Sequence, residues 1–107
     1  MVARRFDVFR NPSGVSAKKI PYFLAVQSDL LGEMDTCVVL PLAKAHAAQA
    51  SASARLNPQF EIEGSQVVML TQLIGVIPMR ALHKHVVNLD IQRSTIVRAL
   101  DFLFEGI

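Results

Sequence analysis

The C-terminal stretch of the chain carries the pattern that most constrains its fold, an amphipathic helix that runs from about Asp90 to the last residue. Apolar residues recur there at spacings of one, three and four, which places them on one helical face. They are Ile96, Val97, Leu100, Leu103, Phe104 and Ile107. Asp90 is predicted as the N-cap, Gly106 stands where helices commonly end, and Phe102 falls off the stripe. The last turn therefore either packs into the core or forms an apolar tip that is offered to a partner.

The residues before this helix predict about five to seven short strands. Runs that alternate in polarity, or that are rich in β-branched and aromatic residues, are typical of strands. These runs are residues 4–9, 22–26, 36–40, 60–62, 66–71 and 75–82. Together with one helix they predict an α+β fold or a small barrel.

Proline and glycine signals separate the predicted strands. Residues 11–14, with the sequence Asn-Pro-Ser-Gly, predict a turn after the first strand. Pro41 is predicted to close the third strand, and residues 63–65 are predicted as the turn of a hairpin. Pro78 interrupts the last run. The Ala- and Ser-rich residues 43–56 predict a short helix and a mobile loop.

Length and hydropathy bound the architecture. The chain has 107 residues, which predicts a single domain over residues 1–107. Half of the residues are hydrophobic (51%), yet no apolar run approaches the roughly 18 residues of a membrane span. We therefore expect no membrane contact and expect the surplus apolar surface to be buried between subunits of a homodimer.

The cysteine content and the distribution of charge indicate the cellular compartment and the kind of partner. Cys37 is the single cysteine and is predicted to be a small buried hydrophobe. Residues 1–10 carry charge without the apolar segment of a secretory signal, so we expect a cytoplasmic protein. The net charge is +2, and basic residues dominate the first nineteen positions. They are Arg4, Arg5, Arg10, Lys18 and Lys19, against Asp7. This segment could steer an acidic partner, although a solvated strand edge and loop is the favoured interpretation.

Metal binding has little support in the sequence. His83 and His85 would share one face of a strand, but a metal site needs three or four ligands. The residues that could complete one are His46, Glu61 and Glu63, and nothing local links them. Two surface histidines in a connection are the favoured interpretation, and no metal or other cofactor is expected.

Enzymatic chemistry has equally little support. Ser28 and Asp29 are adjacent, but a nucleophilic serine needs a base beside it, and no motif marks one. The sequence has no Gly-rich phosphate loop, no C-x-x-C and no H-E-x-x-H. A ribonuclease could assemble an acid and a base from scattered Arg, His and Glu residues, so this class stays open although it is not favoured.

The sequence gives more support for a protein-interaction surface than for a metal site or an active site. Leu30 and Leu31 follow a polar stretch in a predicted loop. With the tip at residues 104–107 they could form one apolar patch, and such patches often mark partner surfaces. The alternative is that both leucines close the end of the core.

Four stretches spread along the chain resemble one known family. They are residues 23–31 around Val26-Gln27-Ser28-Asp29, then Val39-Leu40-Pro41-Leu42, then Val68-Met69-Leu70-Thr71, then residues 99–107. Their order and spacing, the chain length and the closing Gly-Ile are similar to those of the CcdB family of bacterial toxins, over essentially the whole chain.

This resemblance implies a small SH3-like β-barrel with an antiparallel sheet and a C-terminal helix, assembled as a homodimer. It implies a toxin of a type II toxin–antitoxin system that binds the A subunit of DNA gyrase and traps the cleaved gyrase–DNA complex. Such a toxin has no chemistry of its own. A cognate antitoxin neutralises it with a disordered segment. The complex represses its own operon, with contacts to operator DNA supplied by the antitoxin.

The gyrase-binding residues implied by the resemblance fall in the two segments of the apolar patch. They are Ser28, Leu30, Leu31, Asp101, Phe104, Glu105, Gly106 and Ile107. The sequence departs from the best-known members at Glu105, where they carry tryptophan, and at Asp101, where they carry asparagine. An aromatic anchor contributes on the order of a few kcal/mol to an interface. Two alternatives therefore stay open: a protein of this fold that binds antitoxin without poisoning gyrase, and a ribonuclease like the related MazF toxins.

Overall fold

One antiparallel sheet and one α-helix make up the regular structure of the computed structural model, which describes residues 3–45 and 53–106. The elements are β1 (Asp7–Arg10), β2 (Tyr22–Ala25), β3 (Thr36–Lys44), β4 (Gln59–Ile62), β5 (Ser65–Met69), β6 (Gly75–Pro78), β7 (His85–Asn88) and α1 (Arg93–Glu105). Short 3₁₀ turns connect several of them. Within the described ranges, no helix has the length and apolar character needed to span a membrane.

The sheet curls around its longest strand. The strand order is β4-β5-β3-β2-β1-β7, and β6 also pairs with β3. β3 is nine residues long. Along one side it pairs with β2, and along the other it pairs first with β6 and then with β5. With these pairings the sheet is curled into a half-barrel. The expected α+β fold with an SH3-like antiparallel sheet and a C-terminal helix is thereby confirmed.

Pro41 lies inside β3, so the prediction that it closes the strand is wrong. Its carbonyl oxygen accepts a hydrogen bond from the N–H of Leu70 at 2.9 Å. The nitrogen and the carbonyl of one strand residue point to the same side of the strand. The missing N–H of Pro41 therefore faces the gap between the partners of β3, because β6 pairs only up to Val39 and β5 only from Leu42. No ladder bond to β2 is lost, which explains why proline is tolerated here.

Two groups of buried side chains lie on the two faces of the sheet. The larger packs under α1 and includes Phe6, Val8, Leu24, Leu40, Leu42, Ile62, Met69, Ile96 and Ala99. The smaller consists of Phe9, Ala25, Cys37, Val39 and Leu82. Cys37 is the buried small residue that the sequence predicted, and burial raises the pKa of its thiol.

The ends of α1 differ in how well the sequence predicted them. The helix begins at Arg93 after a 3₁₀ turn at Asp90–Gln92, so Asp90 is not its N-cap. The N–H of Asp90 instead donates to Oδ1 of Asn88 at 2.8 Å, which starts the 3₁₀ turn earlier. Gly106 ends the helix as predicted, with φ of 71° and its N–H donating to the carbonyl of Phe102 at 3.0 Å.

The apolar stripe of α1 is only partly buried. Ile96 and Ala99 are fully buried, and Val97, Leu100 and Leu103 are half-buried. Phe104 was predicted on this stripe but is 68% exposed. Phe102, off the predicted stripe, is half-buried instead, and the guanidinium of Arg55 lies 4.8 Å from its ring centroid. Ile107 lies outside the described residues.

The first strand starts later than its alternation predicted. Phe6 has a positive φ of 72°, which turns the chain before β1 begins at Asp7. Phe6 through Phe9 are all buried, because successive side chains enter the two core groups on opposite faces. The polar Asp7 is only 5% exposed. The alternation in polarity of residues 4–9 predicts a strand buried on one face, whereas Asp7, Val8 and Phe9 of β1 are all buried.

Asp7 reaches β7, a strand the sequence did not predict. Its carboxylate accepts hydrogen bonds from the N–H of Arg4 at 2.8 Å, from Nε2 of His85 at 2.9 Å and from Nδ2 of Asn88 at 3.0 Å. His85 therefore begins a strand rather than lying in a connection, and it also packs edge-on against Phe9. These bonds join β1 to β7 and to the approach to α1.

The bounds of other strands and turns differ from the predicted ones by a few residues. The β4–β5 turn has two residues, Glu63 and Gly64, with φ of 52° and 79°, and Ser65 already belongs to β5. β6 stops at Pro78, before a 3₁₀ turn, so the predicted strand over 75–82 is too long. Of the predicted helix and loop at 43–56, residues 43–44 belong to β3, and residues 46–52 lie outside the described part of the chain.

The bonds of Asp7 predict a specific loss of stability. Asp7→Ala is expected to lower the free energy of unfolding by about 1–3 kcal/mol, because the polar partners of the carboxylate lose their acceptor. Urea denaturation measures this loss. The matched control is Asp101→Ala on the exposed side of α1, expected to stay within about 0.5 kcal/mol of the parent. Equal losses in the two variants would contradict a structural role for Asp7.

Candidate functional site

The loop after β2 presents two leucines to solvent. The hydroxyl oxygen of Ser28 accepts the N–H of Leu30 at 3.2 Å, and the carboxylate of Asp29 accepts the N–H of Arg5 at 2.7 Å. These bonds fix a 3₁₀ turn at Asp29–Leu31. Leu30 is 95% exposed and Leu31 46% exposed. In a single copy of the chain the leucines do not close the end of the core.

The end of α1 forms a second exposed surface, which we call the helix tip: Asp101, Phe104, Glu105 and Gly106. Phe104 follows Asp101 by three residues and directly precedes Glu105, and these two acidic residues are one helical turn apart. No basic residue lies in the last turn of the helix. A carboxylate at a helix C-terminus is unfavourable by roughly 0.3–1 kcal/mol, because it faces the negative end of the helix dipole. The tip is therefore an acidic surface with an apolar centre.

The loop and the helix tip lie toward opposite ends of α1. Ser28 and Leu30 line a cavity of about 510 Å³ together with Arg93, the first residue of the helix. Phe104 of the tip lies in the last turn of the helix, about 16 Å further along its axis than Arg93 at 1.5 Å per residue. The loop therefore lies beside the start of α1, and the tip lies at its end.

Two of the candidate metal ligands, Glu63 and His85, form hydrogen bonds to other side chains. The carboxylate of Glu63 accepts hydrogen bonds from the hydroxyl of Tyr22 and from Nη2 of Arg10, each at 2.7 Å. The Tyr22 bond, followed by the Arg10 bond, lowers the pKa of Glu63. His85 is bonded to Asp7. Over residues 3–45 and 53–106, no three His, Cys, Asp or Glu side chains are close enough to hold a metal ion; His46 lies outside these ranges.

The Ser28–Asp29 pair serves local structure. Both side chains accept backbone N–H groups in the turn and its neighbour, as described above. Neither of these bonds involves a histidine that could act as a base. The geometry therefore adds no support for nucleophilic chemistry at Ser28.

Arginines gather beside this loop in a way that sequence reasoning missed. Arg4 and Arg5 line the same cavity as Ser28 and Leu30, and Arg93 joins them from the far end of the chain. The basic bias of the first nineteen residues was the available signal, but it did not reveal the helix arginines beside them. The clustering arises because the curled sheet brings the start of the chain against the start of α1.

The hydrogen bonds of Glu63 predict a pH-dependent stability. Because folding lowers the pKa of Glu63, its contribution is present above the unfolded value near 4.5 and is lost as the pH falls through the folded value. Glu63→Gln should therefore be less stable than the parent at pH 7, and the gap should close on acidification. Thermal unfolding from pH 7 to pH 3 measures it. A gap that does not depend on pH would contradict the role of the charge.

The two phenylalanines of the last helical turns predict opposite mutational outcomes. Phe104→Ala should leave the free energy of unfolding within about 0.5 kcal/mol of the parent, because the ring is exposed. Phe102→Ala should lose roughly 1.5–2.5 kcal/mol, about half the loss for a fully buried ring. Urea denaturation compares them. An equal loss at Phe104 would show that its ring is covered in the assembled protein.

Comparison with known proteins agrees with the fold and with the resemblance of the sequence. The family model described as CcdB protein matches residues 5–106 of the chain, from the turn before β1 to the glycine that ends α1. No curated protein matches the chain. CcdB proteins are protein-binding toxins of toxin–antitoxin modules, which implies an antitoxin partner. The chain belongs to the CcdB family.

Proposed function

We propose that the protein is a toxin that binds the A subunit of DNA gyrase, traps the gyrase–DNA cleavage complex and is neutralised by a cognate antitoxin. The observation that carries this proposal is the exposure of Phe104, 68% free in a single copy of the chain, at the position that the resemblance assigns to gyrase binding. A single toxin domain over residues 1–107 acts in the cytoplasm, where gyrase works on DNA. It contacts operator DNA only through the antitoxin.

The helix tip has the properties of a binding surface. An exposed aromatic ring leaves apolar area in contact with water, and binding of a partner would bury that area. Aromatic residues are also enriched among the anchors of protein interfaces. Gly106 follows Phe104 closely in a left-handed conformation, and a Cβ added there would meet no atom within 4 Å. The backbone at the tip is therefore open on that side, and a partner can approach it closely.

The acidic side chains of the helix tip favour a basic partner surface. Asp101 and Glu105 are both exposed and lie at the negative end of the helix dipole. A cationic partner would offset this unfavourable placement on binding and would gain from electrostatic steering. Glu105 thus changes the chemistry of the contact from aromatic to ionic without removing the aromatic ring next to it.

A homodimer is part of this proposal. The loop with Leu30 and Leu31 and the helix tip are separated along α1 within one copy. A symmetric pair presents each surface twice, so one partner can contact surfaces from both copies. Mutual burial of apolar area between copies also accounts for the high apolar content of the chain.

A second candidate function is a CcdB protein that binds antitoxin without poisoning gyrase. The observation that favours it is Glu105, because a carboxylate replaces the tryptophan of the best-known members at the tip. If the ring of Phe104 does not supply the anchor, the toxin fold and its antitoxin binding remain while gyrase affinity is lost.

A gyrase cleavage assay tests the first proposal. Purified gyrase, supercoiled plasmid and the protein are followed on a gel for linear DNA, and we expect linear DNA to accumulate. Phe104→Ala should raise the concentration needed for half-maximal cleavage by about tenfold or more. The control Val15→Ala truncates another exposed apolar side chain, in a loop outside the site (86% exposed), and should leave cleavage unchanged. Equal effects of both variants would contradict the tip as the binding site.

Substitution of Glu105 separates the two candidates. If the carboxylate has disabled the site, the parent protein produces no cleavage and Glu105→Trp gains it. If Phe104 already supplies the anchor, the parent is active and Glu105→Trp changes its potency only modestly. The matched control, Glu61→Trp on the exposed side of β4, should do neither. Absence of cleavage with both the parent and Glu105→Trp would exclude gyrase as the target.

A further inference from the structure

A small cavity lies between the end of β1 and the segment that leads into β7. Its volume is about 200 Å³, and its lining consists of Arg10, Asn11, Pro12, His83 and Lys84. We call it the basic pocket. Neither the helix tip nor the loop after β2 contributes a residue to this lining. The basic pocket is therefore separate from the surfaces proposed for gyrase.

Hydrogen bonds hold the two walls of the basic pocket in place. The N–H of Arg10 donates to the carbonyl of Lys84 at 3.0 Å, which joins one wall to the other. Asn11 is only 8% exposed. Its side-chain Nδ2 donates to Oγ of Ser16 at 2.8 Å and to the carbonyl of Ile20 at 2.9 Å. Because the walls are fixed without a ligand, binding has less conformational entropy to remove.

The guanidinium of Arg10 is positioned by two side chains from outside the basic pocket. Nη2 donates to Oε2 of Glu63 at 2.7 Å, and the guanidinium carbon lies 5.9 Å from the ring centroid of Tyr22. Nε and Nη1 form no hydrogen bond to the described residues, so their N–H groups are available to a ligand. Glu63 offsets part of the charge of Arg10. The remaining positive charge of the pocket comes from Lys84 and from His83 when its ring is protonated.

Lys84 and His83 both have unused hydrogen-bonding capacity. Lys84 is exposed and forms no ion pair within residues 3–45 and 53–106. Nδ1 of His83 lies 3.3 Å from the carbonyl oxygen of Arg80. Because a carbonyl oxygen only accepts, Nδ1 carries the proton in this contact, and Nε2 is left for a ligand. Protonation of Nε2 adds a donor and a positive charge.

The composition of the lining narrows the class of ligand. Among the described residues that line the basic pocket none is a carboxylate, and Pro12 is the one apolar side chain. A metal cation or an apolar segment therefore finds little to bind. The volume is below the roughly 300–1,000 Å³ of pockets that hold drug-sized molecules. Guanidinium, ammonium and imidazolium groups donate without accepting, which suits a compact anion with several oxygen acceptors.

We propose that the basic pocket binds a small tetrahedral oxyanion of the phosphate class, as a free ion or as the terminal phosphate of a small molecule. Its oxygens accept hydrogen bonds from Arg10 and Lys84, and from Nε2 of His83 once this nitrogen is protonated. The charged groups that line the pocket with His83 are Arg10 and Lys84, and Glu63 lies behind Arg10. Binding therefore strengthens as the pH falls through about 6.5, where histidine takes up a proton.

Titration with sulfate, followed by NMR on the full chain, tests this proposal. Sulfate is the first probe because its own charge stays constant between about pH 5 and pH 8, so a change of affinity with pH reports on the protein. At constant ionic strength, sulfate should shift the backbone amide resonance of residue 84. We expect the affinity to rise at least threefold from pH 8 to pH 5.5 in the parent, and to change less than about twofold in His83→Gln.

Two lysine variants separate specific binding from attraction by net charge. Lys84→Ala should weaken sulfate binding about tenfold at pH 5.5, the effect of one charge-assisted hydrogen-bonded pair. Lys84 is exposed, so its replacement should not alter folding. The matched control Lys18→Ala removes an exposed lysine outside the pocket and should change affinity less than about twofold.

Phosphate and adenosine monophosphate distinguish the two sources of the anion. Tighter binding of the phosphate ester supports a small-molecule ligand, and equal or weaker binding supports a free ion. Four outcomes would overturn the proposal: no shift at residue 84 with any of these anions; equal losses in Lys84→Ala and Lys18→Ala; an affinity for sulfate that does not change with pH; or tighter binding of a single-stranded oligonucleotide that Lys84→Ala weakens. The assay contains no gyrase, so its result is separate from that of the cleavage assay.

Discussion

The pairing of β3 with three strands is the constraint on which the rest of this structure depends. β6 and β5 follow one another along one side of β3, and the twisted sheet curls around this strand and leaves a concave face. α1 fills that face with Ile96 and Ala99. Pro41 sits at the junction between the two partners, where the absence of an N–H costs no hydrogen bond. The same curl carries the beginning of the chain over to the helix that ends it.

Phe6 and Asp7 turn this proximity into a rigid junction. One is an apolar side chain at a positive φ, and the other is a carboxylate inside the protein; each is an exception to ordinary preferences. Their partners come from the last part of the chain: Arg93 for the ring, and His85 and Asn88 for the carboxylate. Long-range contacts of this kind compensate for local strain and for the burial of charge. The loop after β2 and the start of α1 lie beside this junction and are held in place by it.

How much the sequence could predict depends on how far apart along the chain the interacting residues lie. The helix, its glycine end, the β4–β5 hairpin and the burial of Cys37 depend on local patterns, and these predictions were confirmed to within a few residues. β7 was missed because its own residues alternate weakly and its pairing depends on β1, far away in sequence. The partial burial of Phe102, which lies off the stripe, could not be predicted because the guanidinium that packs on its ring comes from Arg55, in another segment. For the proposed sites, the exposure of Leu30 and Phe104 was within reach of pattern reasoning. Their separation along α1, and the gathering of Arg4, Arg5 and Arg93 beside the loop, were not.

The lengths of the outer strands have a consequence for how this apolar chain behaves in a crowded cell. β4, β6 and β7 each pair with one neighbour within the described residues, and each is only four residues long. A foreign strand that added to such an edge would form very few backbone hydrogen bonds, and Pro78 at the end of β6 withholds one more donor. Stacking into fibrils by edge pairing is therefore disfavoured. The protein can expose leucine and phenylalanine side chains for recognition while its backbone offers little to a passing strand.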